Sequence, residues 1–228
     1  MKPLVLSIAA LLVSVAHPRA AERPIVVELF TSQGCSSCPP ADSYLTEIAS
    51  SRPNVLPLAF HVTYWNGLGW RDPFSLDSAT RRQAAYEARF GDGSYTPELV
   101  VDGRKGVVGS QRDDVEDAIA WARRTAVTAT TLSAVRAGDA IEIHVGGGRA
   151  QGRLVLVGYD RLHQTSVGRG ENSGRTLTES NIVRSIVPVA PWTGVPLSLT
   201  VAAPDGEAAA VLLEAENGTI IGAARVGT

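Results

Sequence analysis

The sequence is poor in sulfur. Two cysteines and one methionine are all it holds in 228 residues, and that methionine is Met1. A disulfide-stapled small scaffold is excluded, because one cysteine pair cannot frame a chain of this length. A structural zinc site is short of ligands: His17, His61, His144 and His163 show no finger-like spacing to the single pair. Copper(I) suits two thiolates, but no thioether is at hand to complete the site, so the reading is no metal, with copper binding the lesser alternative. Basic excess is also missing. The net charge is −2, which leaves no electrostatic footprint for nucleic acid. There is no low-complexity tract, and 44% hydrophobic with 19% charged residues suits a globular core.

One apolar run stands apart. "MKPLVLSIAALLVSVAHPRA" begins with Lys2 and is apolar from Leu4 to Ala16, too short to span a bilayer comfortably. It reads as an export signal over residues 1–20, with Ser14-Val15-Ala16 or Ala20 at the cut; an anchored N-terminal helix is the alternative. Cleavage leaves 19 bases against 23 acids, a net −4. The expected location is periplasmic or secreted, free of the membrane once the signal is removed, since no later stretch is long enough to cross one.

Both cysteines lie in "FTSQGCSSCPPADSYL". A bond between Cys35 and Cys38 closes so small a loop that it restrains the unfolded chain little. An exported protein that spends its only pair there keeps it for chemistry rather than stability. The flanking pattern explains how. "PIVVELF" (24–30) suits a buried strand, and Pro39-Pro40 fits the first turn of a helix. Ala41, Tyr44, Leu45, Ile48 and Ala49 then fall on one helical face. A thiolate at such a helix entrance gains from free N–H groups and the helix dipole, which lower its pKa from about 8.5. Cys35 is therefore expected as the exposed nucleophile, with Cys38 more buried and resolving the mixed disulfide. Ser36 and Ser37 are placed to donate hydrogen bonds to sulfur.

The alternation continues. "NVLPLAFHV" (54–62) is a strand in which Pro57 suggests a bulge or an edge. "TYWNGLGWRDPF" (63–74) is an irregular insertion, and 75–90 is helical. Residues 96–110 form a hairpin turning at Asp102-Gly103, and Asp113 or Asp114 caps a last helix with Val115, Ala118, Ile119 and Ala122 inward. The order β-α-β-α-β-β-α makes a compact α/β layer structure over 23–125. After Thr125 the texture becomes all-β. Strand candidates at 127–135, 139–145, 151–159, 182–189, 196–202, 208–215 and 219–225 suggest an antiparallel sandwich over 126–228. Residues 160–181 read as a long polar connection, either folded against the dithiol face or simply solvated.

With C-S-S-C after the first strand, this element order, and Thr96-Pro97 opening the third strand, residues 24–124 resemble the thioredoxin fold. The mature chain as a whole resembles a family of exported bacterial proteins of unknown function with a thioredoxin-like N-terminal half, through "VELFTSQGCSSCPPAD", "HVTYWNGLGWRDPF", "YTPELVVDG" and "GENSGRTL". The resemblance implies that Pro97 is cis and faces the dithiol, and that Thr96 touches substrate backbone. It also implies that Glu28, an acid in the first strand, assists proton transfer at Cys38. The other reading of Glu28 is that it points outward or pairs with a neighbour. The sequence departs from many thioredoxins in having Gly34 before the first cysteine and no proline between the two.

Other candidates carry two readings each. Trp65, Trp70 and Tyr64 line a groove for a polypeptide or pack the insertion down. His61 lies near Glu28 or is an ordinary strand residue. Arg71-Asp72 reads as a local salt bridge or turn cap. Taken together, the sequence predicts a thioredoxin-like α/β domain followed by a β-sandwich, acting as a thiol–disulfide oxidoreductase. It needs no cofactor beyond the Cys35–Cys38 disulfide, and its partner is a protein thiol or disulfide client. The alternative is a non-catalytic binding module on the same scaffold.

Overall fold

The computed structural model describes residues 23–126 and 130–227. The expected signal at 1–20 and the start of the strand expected at 127–135 lie outside the described residues. Seven elements come first: β1 (Ile25–Thr31), α1 (Pro39–Ser51), β2 (Val55–His61), α2 (Asp77–Phe90), β3 (Glu98–Val101), β4 (Lys105–Val108) and α3 (Arg112–Arg124). This is the order read from the pattern. β1 and β2 run parallel, while β3 is antiparallel to both β1 and β4.

Every residue of β1 is buried because both sheet faces are covered. Val27 and Leu29 pack with Tyr44, Leu45 and Ile48 of α1 and with Val115 and Ile119 of α3. Val26 and Phe30 point the other way, into a cluster with Tyr86 of α2. The inward face of α3 is the one expected. Its N-cap is Gln111, however, and Asp113 and Asp114 sit in the first turn, where they still favour the positive end of the helix.

Later come β5 (Leu132–Ala137), β6 (Ala140–Val145), β7 (Gly152–Ser166), β8 (Thr176–Trp192), β9 (Leu197–Ala202), β10 (Ala208–Ala215) and β11 (Ile220–Gly227). They do not stand apart as a separate sandwich. Among the described residues the strands join in one order, β4-β3-β1-β2-β8-β7-β10-β11-β5-β6-β9, a mixed sheet of 11 strands. β8 pairs with β2 at Ala59↔Ile182, so the sheet runs across the boundary expected near 126. The physical reason is that β2 is buried along its whole length, so the backbone groups on its second edge need partners there. One core cluster accordingly unites Phe30 and Phe60 with Val157, Val183 and Leu212. The far strands curl back, since Ile141 and Ile143 of β6 pack with Leu156 and Val211, although β6 is adjacent to neither β7 nor β10.

Two local expectations change with this arrangement. Pro57 lies in an interior strand, not at an edge or a bulge. Its carbonyl accepts from Asn181 Nδ2 at 2.8 Å, on the side where β2 meets β8 only at Ala59. The missing N–H thus falls where strand pairing has yet to begin. The polar stretch 160–181 is a loop only at its tip, residues 167–175. β7 and β8 continue as a hairpin arm, with pairs from Leu162↔Ser180 to Ser166↔Thr176. The β7 side of this arm is largely exposed, while Leu177, Glu179 and Ser180 on the β8 side are buried; because two of those three are polar, the sequence shows little hydrophobic alternation.

Candidate functional site

The β1–α1 junction places the dithiol. Cys35 and Cys38 form a disulfide with Cα atoms 5.4 Å apart. Cys38 is the N-cap of α1, and its carbonyl accepts from the amides of Ala41 and Asp42. Ahead of it, the Cys35 amide donates to Ser32 O at 3.1 Å, closing a tight turn off the strand. The loop stands at the carboxyl ends of two parallel strands, the usual place for chemistry in an open α/β sheet.

The Thr96–Pro97 bond is cis, and the Thr96 carbonyl oxygen lies 3.9 Å from Cys35 Sγ. In the disulfide this is a contact without a proton; in the reduced state a thiol at Cys35 has an acceptor there. Ser37 Oγ lies 3.3 Å from the same sulfur. Trp65 Nε1 donates to Thr96 Oγ1 at 2.9 Å, and a Cβ on Gly34 would stand 3.3 Å from Trp65 Cβ. The insertion therefore places Trp65 against Gly34 and Thr96, and Gly34 leaves room for it. Trp70 Nε1 donates to Gln33 Oε1 at 3.1 Å. The structure thus brings Cys35, Cys38, Thr96, Pro97, Trp65 and Trp70 together.

Cys35 itself departs from expectation. It is 0% exposed, as is Cys38. The cover comes from the tip of the β7–β8 arm, residues 167–175. Asn172 Nδ2 donates to the carbonyls of Gln33 (3.0 Å) and Cys35 (2.9 Å). Glu171 Oε2 accepts from the Ser36 amide at 3.0 Å, and Arg175 Nη1 holds Asn172 Oδ1. Of the two readings of this segment, the one lying against the dithiol face is what the structure contains. The Ser36 hydroxyl first, and then its amide, hold the Glu171 carboxyl below the usual range.

Glu28 is also elsewhere. By strand alternation it shares the face of Val26 and Phe30, opposite α1. Its carboxylate takes Arg82 Nε at 3.0 Å and Nη2 at 2.7 Å, and accepts from Tyr86 Oη. Burial pushes its pKa up while Arg82 pulls against that. Glu28 pairs with a neighbour, as its second reading had it, and is turned away from the dithiol helix.

A different set of acids lies on the α1 side. Asp42, one turn into α1 from Cys38, is buried and its Oδ1 accepts from Thr31 Oγ1 at 2.7 Å. His61 Nδ1 lies 2.7 Å from Asp72 Oδ2, and its Nε2 is 3.8 Å from Glu179 Oε1. Asp72 Oδ2 also accepts from the Gln33 amide at 2.8 Å, while Gln33 Nε2 donates to Glu179 Oε2 at 2.6 Å. The four ionisable groups come from α1, β2, the insertion and the arm. His61 is thus neither beside Glu28 nor an ordinary strand residue. Asp72 does cap its own turn through the Phe74 amide, yet its main role is in this buried array.

The electrostatics follow from burial and mutual field. Burial alone would lower the His61 pKa, but Asp72 and Glu179 outweigh it and hold it at about 9. Burial and then the Glu179 charge raise Asp42 to about 8. Glu179 is raised by burial as well, whereas His61 keeps Asp72 below the usual range against its own burial. Asp42 Oδ2, Glu179 Oε1 and His61 Nε2 are buried and find no hydrogen-bond partner among the described residues. Two carboxylates that resist ionisation beside an imidazolium can hold and release a proton near neutrality. Composition gave no warning of Asp72 or Glu179. Asp42 left one signal, an acid adjoining the apolar stripe of α1.

The comparisons agree with the fold. A solved structure, protein AGR_C_4864 of Agrobacterium tumefaciens, is similar at 32% identity and a TM-score of 0.79, over 91% of this chain and 96% of that one. HBP35 of Porphyromonas gingivalis is similar in fold alone, at 13% identity and a TM-score of 0.60, over 89% of this chain and 74% of that one. Among curated proteins no match is found. The family model described as a protein of unknown function, DUF1223, matches residues 26–214. The chain therefore belongs to the DUF1223 family.

Proposed function

We propose that this protein is an exported thiol–disulfide oxidoreductase built on a thioredoxin-like scaffold. One observation carries the reading: the Cys35–Cys38 disulfide sits at the N-terminus of α1, beside the Thr96 carbonyl, and α1 carries the buried Asp42 one turn further on. A thiolate of a dithiol client attacks Cys35 Sγ. The S–S bond breaks, and its electron pair leaves on Cys38 Sγ, which takes up a proton from the buried acids. The client's second thiolate then attacks its own sulfur in the mixed disulfide and expels Cys35 as a thiolate. The client has lost two electrons and the protein has gained them. A second thiol–disulfide partner reverses the exchange, and the relative potentials set its direction.

Asp42 takes the proton-holding role first expected of Glu28. It lies on the dithiol helix, and its raised pKa suits it to give and take protons near neutrality. Thr96 offers its backbone, and Trp65 and Trp70 offer their rings, to a polypeptide client. Because Cys35 is buried, the arm tip must lift before a client enters.

That same burial favours a second reading, a binding module whose disulfide never turns over. Equilibration with glutathione and a disulfide-reduction assay decide between them. The oxidoreductase predicts a potential between about −120 and −270 mV and loss of activity in Cys35→Ser. A potential below about −300 mV, with no exchange on the assay timescale, marks an inert structural bond and sinks the catalytic reading.

A further inference from the structure

A cleft of about 410 Å³ opens on the α2 side of the sheet, between that helix and strands β7, β8 and β10. Its size falls within the roughly 300–1,000 Å³ of small-molecule sites. Arg81, Ala85 and Arg89 follow one another at helical spacing along its α2 wall. Arg153 enters from β7. The opposite surface is apolar, made by Val155, Ile186 and Pro188, with Val155 and Pro188 paired directly across β7 and β8.

The charges do not cancel. Arg82, at the back, is held by Glu28 and by Glu214, whose oxygens lie 2.7 and 2.6 Å away. Arg153 shares Glu214 with it and keeps 63% of its side chain exposed. Among the described residues Arg81 and Arg89 form no ion pair. Arg89 is oriented by donating to the Gly103 carbonyl and by lying over the rings of Tyr86 and Phe90. Four guanidinium groups thus face two carboxylates beside an apolar wall.

We infer that this cleft binds a small amphipathic carboxylate. Its head is held by Arg81, with Arg89 and Arg153 adding positive charge along the cleft, and its hydrocarbon body lies on Val155, Ile186 and Pro188. Planar guanidinium forks match a carboxylate, and their weak hydration makes them easier to desolvate than lysine. A bare anion would satisfy the arginines and leave the apolar wall wet. A neutral chain would cover the wall and leave the charges uncompensated. The site is independent of the dithiol and does not rest on the redox reading.

Isothermal titration of the full mature chain with decanoate below its micellar concentration tests this. One saturable site is expected, with decanol and inorganic phosphate each bound at least about tenfold more weakly. Arg81 is exposed and, among the described residues, its side chain makes no hydrogen bond, so Arg81→Gln should keep the melting temperature and weaken decanoate about tenfold. No saturable binding of decanoate overturns the inference. So does equal binding by Arg81→Gln, or inorganic phosphate binding as tightly as decanoate.

Discussion

The side-chain amide of Asn172 donates to the carbonyl of Cys35 at 2.9 Å, joining residues 137 apart in sequence. With its second bond, to Gln33, this amide fastens the arm over the disulfide. Replacing Asn172 by Ala leaves two loop carbonyls unpaired and should cost about 1–3 kcal/mol of stability. The closed tip should open more often, so reduction by dithiothreitol should quicken several-fold. Unchanged reduction kinetics in a folded Asn172→Ala protein would show that the arm does not control access.

Glu28 and Asp42 make opposite predictions. Glu28→Gln breaks a buried ion pair to Arg82, with Glu28 itself 0% exposed, and should destabilise by about 3–5 kcal/mol. Its thiol–disulfide exchange rate, measured where the variant is still folded, should match the parent. Asp42→Asn should retain the fold and alter the pH profile of exchange. A rate lost in Glu28→Gln and kept in Asp42→Asn would restore the first-strand acid to the catalytic role.

Stability should fall as pH rises from about 4 to 9. Asp42 ionises near 3.8 when unfolded and about 8 when folded, so the folded state holds the extra proton between those values. Its contribution is full below 3.8 and is lost as pH climbs to about 8. His61 acts in the same sense, from 6.5 to about 9. Asp72, whose pKa is lowered, works oppositely and only in acid. Melting temperatures taken across this range should decline in the parent and decline less in Asp42→Asn.

The turn at Asp102-Gly103 tests the joining of the two halves. Both residues have positive φ, 49° and 61°, as a tight hairpin demands. A Cβ on Gly103 would stand 2.3 Å from the Gly218 carbonyl oxygen, so this turn is also packed against the β10–β11 connection. Gly103→Ala should cost more than a turn substitution alone, about 2 kcal/mol or above. A melting curve within a degree or two of the parent would contradict that packing.

Much of the first half was legible in the chain. Strand and helix order, the inward face of α3, the Asp102-Gly103 turn and the placing of the cysteines at a helix entrance follow from local period and turn chemistry. The buried array was not legible. Asp42, His61, Asp72 and Glu179 lie on four separate segments, and nothing in the neighbourhood of each states that the others converge on it.

Within the first half, the sequence alone determined which segments form strands and helices and that its two sulfurs meet at the start of α1, because those outcomes depend on spacing within a few residues. Only the tertiary structure decided that β8 joins β2, that Glu28 turns toward Arg82, and that an arm closes over Cys35. Those outcomes depend on hydrogen bonds and charges between distant segments, whose partners are chosen by packing and leave no periodic trace along the chain.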